Sequence, residues 1–151
     1  MKKIHDNIFE WNFQYFSKNI INCIKKSFNF SGRASRHEYA HFFLLLFLVI
    51  IIVATYSFFW PLLVCIYLPY ISVTIRRLHD FNYSGLWCFH IWILFALTAI
   101  VYFDLQFSWI NKKILENLNV YTIIIILINF ALFSLKKGNY NENKYGQNIY
   151  E

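Results

Sequence analysis

The sequence predicts an all-α membrane protein with four transmembrane helices, arranged as two hairpins, and an amphipathic N-terminal helix at the membrane interface. Three observations favour this fold class. Hydrophobic residues make up 58% of the 151 residues, aromatic residues 22% and charged residues only 15%, a balance that a small water-soluble domain could not bury. The apolar residues form long runs. Lysines and arginines border these runs mainly on one side.

Residues 1–30 form the predicted interfacial segment. Its apolar positions recur at roughly helical spacing: Ile8, Trp11, Tyr15, Ile20, Ile24 and Phe28. Lys18, Lys25 and Lys26 fall on other positions, and this pattern is typical of a helix that lies in the interface. The alternative is an amphipathic helix packed on the rest of the protein. The segment has no compact apolar stretch ending in small residues, so we do not expect a cleaved signal peptide.

Residues 31–137 form the predicted membrane domain. Its first apolar run, His41 to Ile75, would be about 50 Å long as one helix, whereas a bilayer core is about 30 Å thick. We therefore expect a reversal near Tyr56 to Pro61, since proline in a first helical turn costs no hydrogen bond. The predicted spans are 41–58, 61–76, 86–103 and 120–135.

Two polar segments complete the chain. Asp104 to Asn119 has apolar residues on one side and lysines on another, which predicts a second interfacial helix. Residues 138–151 are rich in asparagine and predict a polar cytoplasmic tail. With four spans, twelve lysines and arginines flank one side of the membrane and two flank the other, which places both termini in the cytoplasm. A three-span arrangement with a re-entrant second segment is the alternative.

The segment SGRASRHEYAHFF, residues 31–43, carries the first group of polar side chains. Ser35 and Glu38 have the spacing of a capping box, which predicts that a helix begins there. A helix that starts at the membrane surface needs its first amide donors satisfied before it enters lipid. Arg33 and Arg36 are then expected at the level of the lipid headgroups.

The same segment contains a possible zinc-binding pattern. His37, Glu38 and His41 match H-E-x-x-H, in which two histidines one helical turn apart bind zinc and the glutamate acts as general base. A third ligand is required, and the candidates are His79, Asp80 and His90. None of these candidates belongs to a second motif that would identify it as a zinc ligand.

The segment RRLHDFNYSGLW, residues 76–87, predicts a tight turn between two spans. Arg76 and Arg77 would each cost on the order of 3 kcal/mol at the bilayer centre, so they belong at its edge. Asp80 is their natural ionic partner. We interpret this group as an anchor and a turn. The alternative is a pocket for a phosphate or a lipid headgroup, because arginine binds such oxygens bidentately.

The segments 31–43 and 76–87, together with KGNYNENKYG at residues 137–146, resemble the bacterial inner-membrane family called domain of unknown function 805. The resemblance covers about residues 20–146 and implies a small four-helix protein of the bacterial inner membrane without an assigned activity. The positions that match the family pattern are Gly32, Arg33, Ser35, Arg36, Glu38, Tyr39, Arg76, Arg77, Leu78, His79, Asp80, Ser84, Gly85, Trp87, Gly138, Asn143, Tyr145 and Gly146. His37 and His41 are not part of that pattern, which argues against a zinc site.

The sequence favours a non-enzymatic membrane protein without a cofactor, acting through a basic cluster on its cytoplasmic face. The predicted cluster is Arg33, Arg36, Glu38, Arg76, Arg77, His79, Asp80 and Asn143. Its expected ligand is a partner protein or an anionic lipid, as in an immunity-type or accessory protein. The basic residues form no single exposed face, so we do not expect nucleic-acid binding. The alternatives are a membrane-embedded zinc metalloprotease using His37 and His41 and a small channel or transporter.

Overall fold

The computed structural model describes residues 13–89, 92–93, 96–97, 99–100, 112–147 and 149. This part of the chain is all-α, as the sequence predicts. Its four helices are α1 (Phe13–Lys25), α2 (Arg36–Thr55), α3 (Trp60–Asp80) and α4 (Lys112–Leu135), and two short 3-10 helices cover Ser57–Phe59 and Gly85–Cys88. The described residues between positions 89 and 100 are helical as well.

The boundaries of α2 and α3 follow from their sequence. The Ser35 hydroxyl accepts a hydrogen bond from the Glu38 amide at 3.2 Å, so the predicted N-cap of α2 is confirmed. Pro61 lies in the first turn of α3, where a missing N–H group costs nothing. Ala34, just before α2, contacts Arg76 near the end of α3, so the chain reverses between Thr55 and Trp60, as predicted.

Two helical segments, Arg36–Val53 and Pro61–Asp80, are long and apolar enough to cross a membrane, and Val120–Leu135 is a shorter apolar helix. The first begins earlier than the predicted span 41–58, and the second extends beyond the predicted span 61–76. Both extensions contain charged residues, which the predicted spans left out because charges are costly in lipid. Eight of the eighteen residues of the predicted third span, 86–103, lie outside the described residues.

The prediction of a separate interfacial helix at Asp104 to Asn119 is wrong for its second half. Residues 112–119 are the first turns of α4, which runs without interruption to Leu135. The alternation of lysines and apolar residues suggested a distinct element, but no proline or glycine between Lys112 and Leu135 breaks the helix. Residues 104–111 lie outside the described part of the chain.

The helix α1 packs on α2 and α3 through Asn19 and Cys23, which are buried. Its boundaries are narrower than the predicted segment 1–30, of which residues 1–12 lie outside the described part of the chain. Phe13 and Ile24 point outward and are largely exposed. The helix thus contacts the protein with one side and keeps an apolar surface on the other.

An aromatic core holds α2, α3 and α4 together. Tyr39 is its centre: its hydroxyl lies 3.2 Å from that of Tyr70, and its ring centroid lies 5.4 Å from that of Phe133. Phe43 and Phe130 continue the contact between α2 and α4, with ring centroids 5.0 Å apart. This packing fixes the start of α2 beside the end of α3, where the polar residues collect.

Candidate functional site

One end of the helix assembly brings together the start of α2, the end of α3 and the tail that follows α4. The amide of Ala34 donates to the Arg76 carbonyl at 3.0 Å, and the amide of Asn139 donates to the Asp80 carbonyl at 3.1 Å. We call this region the polar end; it consists of residues 31–38, 76–80 and 136–147. It contains every residue of the predicted cluster.

Asp80 lies between two arginines at the centre of the polar end. Arg33 donates from Nε and Nη2 to Oδ1 of Asp80 at 2.9 Å and 2.6 Å, and Arg77 donates from Nη1 to Oδ2. All three side chains are completely buried. The two guanidinium groups carry two positive charges and the carboxylate carries one negative charge, so half of the positive charge is not neutralised. The other N–H groups of the two arginines must therefore donate to uncharged acceptors.

Arg33 finds these acceptors in the tail. Its Nη1 donates to the carbonyls of Asn141 at 3.0 Å and Gln147 at 3.2 Å, and its Nη2 donates to the carbonyl of Asn139. A polar, asparagine-rich segment has little apolar surface with which to pack. The guanidinium of Arg33 supplies three of the long-range hydrogen bonds that order it, because its planar group donates in several fixed directions at once.

Arg77 finds its acceptors at the end of α4. Its Nε donates to the Phe133 carbonyl at 2.9 Å, and its Nη2 donates to the Lys136 carbonyl. The last carbonyls of a helix have no intrahelical partner and carry partial negative charge. Arg77 satisfies two carbonyls at this end, and its guanidinium also stacks over the Phe81 ring at 4.4 Å. The arginine thus joins α3 to α4.

A second ion pair joins α2 to α3 and is in contact with α1. Arg76 donates from Nη1 to Oε1 of Glu38 at 2.7 Å, and the Cys23 thiol of α1 lies 3.6 Å from the same oxygen. Burial, together with the Glu38 carboxylate, raises the pKa of the Cys23 thiol well above its ordinary value. In the described part of the protein, Nε and Nη2 of Arg76 are buried and have no hydrogen-bond partner. The pairing with Glu38 is therefore the main compensation for burying this charge.

His79 connects the loop before α2 to the tail. Its Nδ1 lies 3.1 Å from the Gly32 carbonyl, and its ring stacks on Tyr145 with centroids 3.8 Å apart and planes 5° apart. Asn143 donates from Nδ2 to the His79 carbonyl at 2.9 Å. Gly32 has φ +82°, a conformation that residues with a Cβ rarely adopt. The loop, the end of α3 and the tail are thus fixed as one unit.

The charges of the polar end divide by residue type. All four arginines of the chain, Arg33, Arg36, Arg76 and Arg77, are buried, with exposed fractions of 6%, 6%, 1% and 0%. The lysines of α1 and of the tail are exposed: Lys18, Lys25, Lys26, Lys136, Lys137 and Lys144. The arginines therefore act inside the fold, and the lysines are the cations that a ligand can reach.

The polar end includes contacts that the sequence did not predict. Cys23 beside Glu38 has no sequence signal, because a single cysteine in an apolar context is read as a small hydrophobe. The tail carbonyls bound by Arg33 are also missed, since the contact joins residues 106 to 114 positions apart. The asparagines and glycines of the tail are typical of turns, and this composition is the one sequence signal that favours an ordered tail. Gly146 indeed has φ +145°.

The residues of the zinc-binding pattern have other partners. His41 lies 2.8 Å from the side-chain amide of Asn19 and packs edge-on against Tyr15 and Phe16. Glu38 is bound to Arg76, so it is not free to act as a general base. Among the described residues, no group of three histidine, cysteine, aspartate or glutamate side chains is placed to hold a metal ion. His90 lies outside them.

Comparison with known proteins identifies a family and no nearer relative. No curated protein and no solved structure matches the chain. The model of the family described as "Protein of unknown function (DUF805)" matches residues 27–147, which include α2, α3, α4 and the whole polar end. The match extends over most of the chain. The protein is therefore a member of the DUF805 family.

Proposed function

We propose that the protein is a non-enzymatic, multi-pass protein of the bacterial inner membrane that binds anionic lipid headgroups at its cytoplasmic face. In this proposal four helices cross the membrane as two hairpins, and both termini lie in the cytoplasm. The buried arginines hold the polar end in one conformation. The exposed lysines around it are the ligand-binding groups.

The observation that carries the proposal is the apolar surface of the helices. Large apolar side chains are 43% to 58% exposed on the outer faces of α2 and α4: Phe47, Leu48, Ile51, Ile52, Ile123, Ile124, Leu127, Ile128 and Leu132. Soluble monomers rarely expose contiguous apolar patches larger than about a few hundred Å². A hydrocarbon solvent accommodates such faces, and the lengths of Arg36–Val53 and Pro61–Asp80 suit a bilayer core of about 30 Å.

The charge distribution supports the orientation and the ligand. The exposed lysines lie in the tail of the polar end and on α1, whose Cys23 contacts Glu38 of the polar end. In contrast, Ser57–Phe59, at the opposite end of α2 and α3, contains no charge. Lysine and arginine concentrate on the cytoplasmic side of membrane proteins. Lysines at that surface attract anionic lipids with about 1 kcal/mol each. An acidic partner protein is the competing ligand.

Reporter fusions test the membrane topology. We expect alkaline phosphatase to be active when joined after Phe58, because this enzyme folds only outside the cytoplasm. We expect green fluorescent protein to fluoresce when joined before Met1 or after Glu151. Active phosphatase at Glu151 would contradict the proposal, as would a chain that remains in solution without detergent.

Reconstitution tests the ligand. The protein is placed in nanodiscs of phosphatidylcholine alone or of phosphatidylcholine with phosphatidylglycerol, and its thermal unfolding is followed in each. Anionic lipid that binds the folded protein raises its stability by mass action. We expect a higher melting temperature with phosphatidylglycerol and a smaller difference at high salt. Equal melting temperatures would refute lipid binding and leave an acidic protein as the ligand.

A further inference from the structure

A cleft of about 510 Å³ lies between the end of α3, the 3-10 helix that follows it and the second half of α4. Its lining residues are Leu78, Tyr83, Trp87, Asn129, Leu132 and Phe133. The volume falls within the range of about 300–1,000 Å³ that is typical of small-molecule sites. Tyr83, Trp87 and Leu132 are more than half exposed, so the cleft opens to the outside of the helices.

The lining of the cleft is apolar. Among the described lining residues, the one side-chain amide, that of Asn129, donates from Nδ2 to the Ile125 carbonyl of its own helix at 2.9 Å, which is the usual way to satisfy a polar group within an apolar helix. The other described lining residues are leucines and aromatic residues. An occupant must therefore present hydrocarbon to these walls.

A cation stands at the rim of the cleft. Lys136 Nζ lies 5.4 Å from the ring centroid of Tyr83, a lining residue, and 4.8 Å from that of Phe81. The backbone of Lys136 is fixed because its carbonyl accepts a hydrogen bond from Arg77. The ammonium group thus lies beside the opening, against two aromatic rings, and Lys136 as a residue is exposed.

We propose that this cleft binds one phospholipid with an anionic headgroup, whose acyl chain lies against Leu132 and Phe133 and whose phosphate pairs with Lys136. The inference rests on the proposed function, because it requires the polar end to lie at the cytoplasmic membrane surface. Tyrosine and tryptophan such as Tyr83 and Trp87 concentrate at this level of membrane proteins. A phospholipid combines the hydrocarbon that the walls require with the negative charge that Lys136 complements.

Native mass spectrometry in a neutral detergent tests the charge at the rim. The probes are palmitoyl-oleoyl-phosphatidylglycerol and the phosphatidylcholine with the same chains. We expect Lys136→Gln to weaken the first phosphatidylglycerol adduct about fivefold, the loss for one lysine at an anionic surface. Lys137→Gln is the matched control, because Lys137 is a neighbouring exposed lysine. It should weaken the first adduct less than twofold and reduce only the later, weaker adducts, to which the exposed lysines contribute together.

A pair of tryptophan substitutions tests the hydrocarbon walls. Leu132 and Leu127 lie on α4 with the same exposed fraction of 58%, but only Leu132 lines the cleft. We expect Leu132→Trp to occupy the cleft and to abolish the tight first phosphatidylglycerol adduct. Leu127→Trp should leave it unchanged. Glycerol phosphate, which carries the headgroup charge without acyl chains, should not displace the lipid at millimolar concentration.

The outcomes separate this inference from the proposed function. Equal losses for Lys136→Gln and Lys137→Gln would overturn the cleft and leave diffuse binding by the lysines intact. Unchanged binding in Leu132→Trp, or displacement by glycerol phosphate, would likewise overturn the acyl-chain site. A failed topology test would remove the membrane surface itself, and with it both proposals.

Discussion

The arginines and the lysines of the polar end carry the same charge and contact different groups. Arg33 and Arg77 bind Asp80 and backbone carbonyls of the tail and of α4, whereas Lys137 and Lys144 are exposed. A guanidinium has five N–H donors in one plane and is weakly hydrated, so it can satisfy several buried acceptors together. An ammonium group is compact and strongly hydrated. The first cation suits the inside of a fold, and the second suits its surface.

The largest effect is expected from Asp80→Asn, which removes the carboxylate shared by Arg33 and Arg77. Two buried guanidinium groups would then repel each other without a counter-charge. Breaking a buried ion pair costs about 3–5 kcal/mol, and we expect a loss of about 4 kcal/mol in the free energy of unfolding, measured by denaturant titration in micelles. Glu142→Gln in the exposed tail is the control, with a change below about 0.5 kcal/mol. If Asp80→Asn lowered the free energy of unfolding no more than Glu142→Gln does, the buried cluster would contribute nothing to stability.

A somewhat smaller effect is expected from Glu38→Gln. Arg76 would keep a hydrogen-bond acceptor and lose its counter-charge, while its Nε and Nη2 are already buried without partners. The Glu38 side chain is 13% exposed, so water relieves part of the cost. We expect a loss of about 3 kcal/mol, measured by the same titration. Because the carboxylate raises the pKa of the Cys23 thiol, the variant should also react faster with maleimide. An unchanged rate would show that burial alone protects the thiol.

Local sequence patterns predicted the ends of the helices well. The N-cap at Ser35 and a helix start with Pro61 in its first turn depend on neighbouring residues alone, and both are present. The pairing of Asp80 with Arg77 follows from their spacing on one helix. The sequence could not show where α4 begins, because amphipathic spacing at residues 112–119 fits a separate helix and a continuous one equally well.

The long-range contacts of the polar end could not be predicted from the sequence. Arg33 precedes α2 and was expected at the lipid headgroups, yet it is buried against a tail more than 100 residues away. No periodicity couples two irregular segments, because such contacts depend on tertiary placement. Burial of Arg36 was equally unexpected. Charge alone predicts attraction to an anionic surface, and geometry decides which cations remain available for it.

The contrast between arginine and lysine can be tested directly with Arg33→Lys, which keeps the positive charge and removes the planar guanidinium group. Lysine can retain the Asp80 contact but cannot also reach the carbonyls of Asn139, Asn141 and Gln147 in fixed directions. We expect a loss of about 2 kcal/mol in the free energy of unfolding. Amide hydrogen exchange at residues 139–147 should rise by more than tenfold, while α2 and α3 keep their protection. Retained protection of the tail would show that other contacts order it.

The smallest effect on stability, and the largest on ligand binding, is expected when exposed lysines are replaced. In Lys25→Gln with Lys137→Gln, the free energy of unfolding in neutral detergent should change by less than about 1 kcal/mol, because each exposed charge contributes little. The stabilisation by phosphatidylglycerol in nanodiscs should fall, by about 1 kcal/mol for each lysine removed. Lys113→Gln, at the other end of α4, should not reduce that stabilisation. If it reduced the stabilisation equally, the lipid would respond to the net charge of the protein rather than to the lysines of α1 and the tail, and the division between interior arginines and surface lysines would carry no functional meaning.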